Sequence, residues 1–224
     1  MKATQVSAHI WSLHVWVGFP IRVWVVREPD GITLVDAGIG PMARGIARFI
    51  RQLDAGPLRR IVLTHGHSDH VGALNGLLRE WSVPVYAHRL ELPYMEGRSP
   101  YPRRKKAVAF VARGIAVPLP EAVDGTLQAI GGLQPHFTPG HAPGHVAYFH
   151  ERDGVLLAGD LFTSRSGRLR RPIPMFTADM AEAVRSGAIV ERLRPARLEV
   201  CHGGPVFDPA AQWPAYWERY GGSP

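Results

Sequence analysis

The chain has 224 residues, a formal net charge of +7, 46% hydrophobic residues and 20% charged residues. This mixture excludes a disordered or fibrous protein, and the length suits one large domain over residues 1–224. Cys201 is the only cysteine, which excludes an intrachain disulfide. The positive charge leaves acidic partners open. Because no continuous basic helix is present, a basic solvated surface is the favoured explanation of the charge.

The N-terminal residues predict a cytoplasmic protein without a membrane partner. Residues 1–11 lack a basic start, an uninterrupted apolar stretch and a small-residue cleavage site. The apolar run over residues 11–26 is interrupted by His14, Pro20 and Arg22, so it predicts strands and a turn rather than a membrane helix.

The first part of the chain changes from strands alone to alternating strands and helices. Val, Ile and Trp are frequent at the start, and helical spacing of apolar residues begins after Gly38. This order is typical of an α/β fold, in which loops leaving the strands carry the functional residues. The predicted elements are strands over residues 6–17, 21–26 and 32–35, a helix over 41–53, a strand over 61–63, a helix over 71–81 and a strand over 83–86.

The second part begins with a weakly patterned segment, residues 89–117, which is a candidate lid. Helical fragments are predicted in it around Leu92 and Ala107. Asp153-Gly154 predicts a hairpin turn between two later strands. The remaining elements are strands over 134–138, 145–150 and 155–158, an irregular arginine-containing stretch over 162–176, a helix over 180–193, a strand over 198–200 and a helix over 210–220.

The strongest functional signal is the hexapeptide His65-Gly66-His67-Ser68-Asp69-His70. Four potential ligands within six residues are hard to explain structurally, because every buried imidazole needs a polar partner. Positions i and i+2 at a strand end project to the same side, so His65 and His67 can bind one ion together. Asp69 and His70 fall where the chain enters the next helix, and they suit a second ion. Clustered His and Asp side chains predict zinc or a similar metal.

Six residues cannot complete two coordination spheres, so further ligands are expected at the ends of later strands. His141 follows one predicted strand, Asp160 ends the apolar run that begins at Val155, and His202 follows the last strand. Cys201, the neighbour of His202, is expected to face the core, because adjacent residues of a strand point to opposite faces.

With these residues identified, the chain closely resembles the metallo-β-lactamase superfamily, from the segment at residues 34–38 to that at 202–204. The resemblance implies an α/β fold: a four-layer αββα sandwich of two mixed β-sheets flanked by helices, with the site at one edge. It also implies that Asp36 braces the ligand loop through hydrogen bonds. By the resemblance, one ion is held by His65, His67 and His141, the other by Asp69, His70 and His202, and Asp160 bridges them.

The expected cofactors are two zinc ions, although iron and manganese also suit mixed His and Asp ligation. A hydroxide that bridges the metals would attack an ester-like bond of a thioester, lactone or related carbonyl substrate. Asp69 is the candidate to orient this nucleophile and transfer its proton. His145 is a candidate to steady the site through a hydrogen bond, with a purely structural bond as the alternative.

The expected partner is a small-molecule substrate that can be anionic, and the oligomeric state is left open. Arg165, in the stretch 162–176, is a candidate to bind a carboxylate or phosphate, with a solvated basic loop as the equal alternative. The chain ends too soon after His202 for the helical tail of the glyoxalase II branch, and Thr163 replaces the tyrosine of acyl-homoserine lactonases. Two alternatives remain: a phosphodiesterase or nuclease of the same superfamily, although no motif beyond His202 favours nucleic acid, and a non-catalytic metal-binding protein.

Overall fold

Seven strands form the first sheet of the computed structural model, which describes residues 1–221. The strands lie side by side in chain order; the first four are antiparallel and the last four, from β4 onward, are parallel. They are β1 (Lys2–Gln5), β2 (Ile10–Trp16), β3 (Pro20–Glu28), β4 (Gly31–Val35), β5 (Leu58–Val62), β6 (Val85–Ala87) and β7 (Val117–Pro118).

The second sheet has five strands in the order β14-β13-β10-β9-β8, and it is also mixed because only β10 and β13 are parallel. A separate two-stranded hairpin, β11–β12, follows β10 in the chain. The strands are β8 (Gln134–Phe137), β9 (Val146–His150), β10 (Val155–Leu157), β11 (Thr163–Arg165), β12 (Arg168–Arg170), β13 (Arg197–Glu199) and β14 (Val206–Phe207).

Helices cover the outer faces of both sheets. Ile46 of α1 and Leu74 of α3 share one apolar cluster with the first sheet, whereas Val184, Ile189 and Trp213 of the last three helices share another with the second sheet. The helices are α1 (Ala43–Leu53), α2 (Ser68–Val71), α3 (Leu74–Leu78), α4 (Leu92–Met95), α5 (Met180–Ser186), α6 (Ile189–Leu193) and α7 (Pro209–Tyr220), with 3₁₀ turns at Gly40–Met42 and Glu151–Asp153. The expected αββα sandwich of two mixed sheets is therefore confirmed.

Between the sheets lies a continuous apolar layer to which both contribute. Tyr148 and Leu157 of the second sheet are buried in the same cluster as Trp24 and Leu34 of the first. The indole nitrogen of Trp24 donates to Oε2 of Glu199, 3.3 Å away on the other sheet. Among residues 1–221, no helix has the length and apolar character that crossing a bilayer requires.

Four predicted elements differ from the structure. The helix predicted over residues 180–193 is divided into α5 and α6, with Gly187 and Ala188 between them. The helix predicted over residues 71–81 is split into α2 and α3 around Gly72, where a Cβ would lie 2.7 Å from the carbonyl oxygen of Ser68. The helical fragment predicted around Ala107 is wrong: Lys105 and its neighbours are exposed and have no apolar face to bury against the sheet. The stretch 162–176, predicted as irregular, contains the β11–β12 hairpin.

Replacing Trp24 with alanine is expected to lower the free energy of unfolding by about 3–5 kcal/mol, because a large cavity is left between the sheets. Urea denaturation of the metal-free protein measures the change. The control, Trp16→Ala, removes the same side chain from a position that is 72% exposed, and it should change stability by no more than about 0.5 kcal/mol. Equal losses in the two variants would contradict the role of Trp24 between the sheets.

Candidate metal centre

The ligand candidates lie where strands of both sheets end at the same edge of the sandwich. His65 comes three residues after β5, Asp160 three after β10 and His202 three after β13, while His141 follows β8. The two sheets meet next to this edge, where the Val146 backbone N–H donates to the carbonyl oxygen of Thr64 at 2.8 Å. The candidate ligands therefore converge on one site, although His65 and His202 are 137 residues apart in the sequence.

The ligand loop is held tightly between neighbouring segments. His65 and His67 lie in the loop after β5, and Asp69 and His70 lie in α2. Gly66 separates the first two histidines, and a Cβ at this position would lie 2.4 Å from that of Met95. Only glycine fits here, so the small residue in the motif has a steric cause.

Three histidines form the first group of candidate ligands. Nδ1 of His67 lies 3.0 Å from Nε2 of His65 and 3.1 Å from Nε2 of His141. Burial lowers the pKa of His65 and His141 well below the ordinary value, and lowers that of His67 to about 4. The rings are therefore neutral at pH 7, and their converging nitrogen lone pairs suit a bound cation.

The second group consists of Asp69, His70 and His202. Oδ2 of Asp69 lies 3.2 Å from Nε2 of His202 and 3.8 Å from Nε2 of His70. The Cys201 sulfur is within 4.8 Å of ligand atoms of all three. Cys201 is fully buried in the apolar layer, as expected from its place beside a strand, but its sulfur also borders this group.

Asp160 lies between the two groups. Its Oδ2 is 3.3 Å from Nε2 of His141 in the first group and 3.2 Å from Nε2 of His202 in the second. Its Oδ1 is 3.5 Å from Nε2 of His70. One carboxylate therefore reaches both groups, which is the position that a bridging ligand requires.

Two buried polar atoms at this point have no hydrogen-bond partner. They are Nε2 of His70 and Oδ1 of Asp160. A buried polar atom left without a partner costs about 1–3 kcal/mol, so such atoms are rare in folded proteins. Both atoms face the space between the ligand groups, where a cation would satisfy them. The chemistry of the donors, imidazole nitrogen and carboxylate oxygen, also fits a divalent metal.

The charges around Asp160 favour a positive occupant. Burial opposes the ionised form of this carboxyl, but the rings of His202 and His70 hold its pKa well below the ordinary value. Asp160 in turn raises the pKa of His202, although burial works against this shift. Positive charge is thus stabilised at this point, and a cation can supply it in place of a protonated ring.

Four of the candidate ligand histidines direct Nε2 into the site, and in each of them Nδ1 lies near a polar atom of the surrounding protein. Nδ1 of His70 is 2.8 Å from Oδ2 of Asp36, whose Oδ1 accepts the Thr64 backbone N–H at 2.8 Å. Nδ1 of His202 lies 2.9 Å from the carbonyl oxygen of Pro20. Further pairs are His65 Nδ1 with Thr64 Oγ1 at 3.1 Å and His141 Nδ1 with Thr177 Oγ1 at 3.2 Å. Such bonds orient the rings and raise their basicity as ligands.

His145 touches the site without being placed to bind an ion. Its Nδ1 is 2.9 Å from Oγ1 of Thr138, and its Nε2 accepts the backbone N–H of Asp160 at 3.2 Å. Burial lowers its pKa to about 3, so the ring stays neutral. The geometry is the one expected of a residue that holds Asp160 in position.

Glu91 supports the candidate site, and the sequence did not indicate this role. Its fully buried carboxylate accepts the backbone N–H of Gly66 at 3.0 Å and that of Gly144 at 2.7 Å, as well as the Tyr101 hydroxyl. Burial raises the pKa of Glu91, and these three bonds partly offset the rise. One side chain therefore fixes the loop that carries His65 and His67 against the loop that follows His141.

A cavity of about 720 Å³ opens over the ligand groups, and His67, Asp69, Asp160 and His202 form part of its wall. Arg165 is not among the residues that line it; the side chain lies at the exposed end of β11. The suggested contact between Arg165 and a substrate therefore stays a prediction.

Another cluster, formed by His9, His150 and Asp153, lies at the opposite edge of the sandwich. Asp153 accepts from the His9 backbone at 3.0 Å and pairs with its ring at 2.8 Å, while His150 pairs with Glu28 at 3.0 Å. These bonds tie the loop before β2 to the turn before β10, and this structural role accounts for the cluster.

Comparison with known proteins identifies the family. The family model described as the metallo-beta-lactamase superfamily matches residues 16–202. A protein named probable metallo-hydrolase YybB, from Bacillus subtilis (strain 168), is 34% identical over 224 residues, which cover 98% of this chain and 99% of that protein.

Solved structures share the fold. TTHA1623 in a di-iron-bound form has a TM-score of 0.66 and 26% identity, over 94% of this chain and 98% of that one. The metallo-beta-lactamase FIM-1 from Pseudomonas aeruginosa, in a mono-zinc form, has a TM-score of 0.72 and 19% identity. The match covers 99% of this chain and 96% of that one. The fold that the sequence motifs implied is thereby confirmed.

The variant Glu91→Gln is expected to bind metal about 10–100-fold more weakly, because an amide cannot accept from both loops with two equivalent oxygens. Competition with a chromogenic chelator measures the affinity. Glu80→Gln is the control: Glu80 pairs with Arg51 away from the site, and this variant should bind metal like the unmodified protein. Unchanged affinity in Glu91→Gln would show that the two loops hold their positions without the carboxylate.

Proposed function

The chain belongs to the metallo-β-lactamase superfamily, and from that premise we propose that it is a dinuclear metal hydrolase acting on a carboxylic ester, thioester or lactone. The observation that supports the proposal best is the position of Asp160, whose two oxygens reach both ligand groups. A carboxylate in this position suits two neighbouring cations, because a single cation would leave one group of ligands unused.

In this proposal the first group, His65, His67 and His141, holds one cation, and the second, Asp69, His70 and His202, holds the other. Zinc is the proposed metal, since five of the seven ligands are imidazoles. Iron is the main competitor, because imidazole and carboxylate ligands also suit it and the related TTHA1623 structure is described as di-iron-bound.

When bound, such a pair of cations lowers the pKa of water toward neutrality and polarises the oxygen of the bond under attack. Asp69 is proposed to accept a proton at the carboxylate oxygen that does not hold a cation and to pass it to the leaving group. Its side chain lines the cavity and is 23% exposed, whereas the side chain of Asp160 is only 6% exposed. The carboxylate of Asp69 can thus reach a substrate more readily than that of Asp160, which is largely covered by the ligand groups.

The walls of the cavity favour a carbonyl substrate. Apolar side chains such as Phe19 and Val108 form much of its lining, so part of the substrate is proposed to be hydrophobic. A phosphodiester is the second candidate, because Arg104, Lys105 and Lys106 also line the cavity and would attract phosphate.

A panel of thioesters, lactones, β-lactams and bis(p-nitrophenyl) phosphate tests the proposal. We expect hydrolysis of a thioester or lactone by the zinc-loaded protein, loss of activity after chelation, and recovery on adding zinc. Asp69→Asn should lower kcat by about 10²–10⁴-fold, the usual contribution of a positioned acid–base group.

Asp54→Asn is the matched control, because Asp54 ends α1 in the left-handed conformation that asparagine tolerates, far from the cavity. It should retain full activity. Hydrolysis of the phosphodiester alone would replace the carbonyl proposal by the second candidate. Metal-loaded protein that cleaves none of these bonds would overturn both.

A further inference from the structure

We infer that the substrate is amphipathic, with an apolar group on one side of the scissile carbonyl and a negatively charged group on the other. This inference rests on the proposed function, because it concerns the substrate of the same site. It is carried by the distribution of apolar and basic side chains around the cavity.

The apolar side is formed by the tip of the β2–β3 hairpin. Trp16, Val17 and Phe19 are 72%, 54% and 38% exposed. The turn is tight, since the Val17 backbone N–H donates to the Phe19 carbonyl at 3.0 Å and Gly18 adopts a φ of +77°. Large apolar side chains at an exposed tip are unfavourable in water unless a ligand covers them.

This tip stands beside the second ligand group. The ring of Phe19 meets that of His202 edge-on with centroids 4.8 Å apart, and Val17, Phe19 and Ile21 all line the cavity. An apolar group bound there would be in contact with the hairpin while the reactive carbonyl lay over Asp160.

The basic side is formed by residues 103–106, which lie beside the first ligand group. Tyr101 packs against His67 with ring centroids 4.7 Å apart. Arg103 donates to the carbonyl oxygens of Pro174 and Thr177 at 3.0 and 2.9 Å, and Thr177 contacts His141. These contacts place the segment on the side of the cavity away from His202.

Three cations of this segment, Arg104, Lys105 and Lys106, line the cavity and are exposed. Within residues 1–221, no carboxylate forms an ion pair with any of them. The guanidinium of Arg104 lies over the ring of Phe176, 5.8 Å from its centroid, and both residues line the cavity. Unpaired cations at a cavity wall favour an anionic ligand.

The hairpin tip and the three cations therefore lie at different parts of the cavity wall, one beside each ligand group. Val108 and Phe110, near the cations, add further apolar lining. A small neutral ester would leave the cations unused, and a polar polyanion would leave the hairpin tip uncovered. A ligand that has both an apolar and an anionic part satisfies both walls at once.

Two matched thioester series test the inference. In the first, the acyl group is apolar and the thiol part anionic: octanoyl-coenzyme A is compared with acetyl-coenzyme A and with neutral S-octanoyl-N-acetylcysteamine. In the second the arrangement is reversed: S-octyl thiosuccinate is compared with S-methyl thiosuccinate and with the neutral S-octyl thiobutyrate. In at least one series kcat/KM should be highest for the substrate that is both apolar and anionic.

Variants assign the preference to the two walls. Phe19→Ala should lower kcat/KM about tenfold for the octyl or octanoyl substrates but not for their short analogues. The control is Phe207→Ala, which removes a 62% exposed aromatic side chain on β14 and should leave kcat/KM unchanged for all of these substrates. The double variant Lys105→Gln/Lys106→Gln should lower kcat/KM about fivefold for anionic substrates only, an effect that salt abolishes. Arg48→Gln, on the exposed face of α1, is its control.

A binding measurement separates this inference from the proposed function. The apolar anionic dye 1-anilinonaphthalene-8-sulfonate should bind the folded protein whether or not it hydrolyses an ester, and both Phe19→Ala and the lysine variant should weaken binding. If the dye binds as expected but no ester is cleaved, the proposed function fails and the cavity assignment stands. If esters are cleaved without preference for chain length or charge, the inference is overturned while the proposed function stands.

Discussion

The rest of this structure depends on one constraint. Candidate ligand atoms are buried close together and leave part of one another's hydrogen-bonding capacity unsatisfied. Three imidazole nitrogens lie within about 3 Å of a neighbour in the first group. Beside them, an imidazole nitrogen and a carboxylate oxygen are buried without any hydrogen bond. A cation between the two groups would relieve this arrangement, and bonds from the surrounding residues keep the candidate ligand atoms in place.

The sandwich provides that support by bringing loops of both sheets to one edge. Thr64 makes several of these supporting contacts. Its backbone N–H and its hydroxyl donate to Asp36, and the hydroxyl also lies near His65. Its carbonyl oxygen accepts the backbone N–H of Val146 on the second sheet. Glu91 plays the same part on the other side, where it holds two loops through backbone N–H groups. Rigid positioning of this kind is what a site needs to hold ligands in a geometry that they would not adopt freely.

The candidate ligands could be selected from the sequence because their residue types are few and their positions follow strands. His141, Asp160 and His202 each stand just beyond an apolar run, and a strand end is where an α/β fold displays functional groups. The sheets and most helices were predictable for the same reason, since apolar periodicity reflects which faces are buried.

The supporting residues could not be found in this way. Glu91 lies in a segment without clear periodicity, and its role depends on contacts with Gly66 and Gly144 that only folding creates. The Pro20 carbonyl that orients His202 has no signature at all, because every residue has a carbonyl group. The position of the basic segment at residues 103–106 beside His67 likewise follows from hydrogen bonds of Arg103 to a distant loop.

Anomalous diffraction from crystals of the zinc-loaded protein, collected on both sides of the zinc absorption edge, tests the central claim most directly. The account predicts two peaks flanking Asp160, one bounded by His65, His67 and His141 and the other by Asp69, His70 and His202. A loaded crystal with no peak between these residues, or with metal bound only elsewhere on the protein, would contradict it.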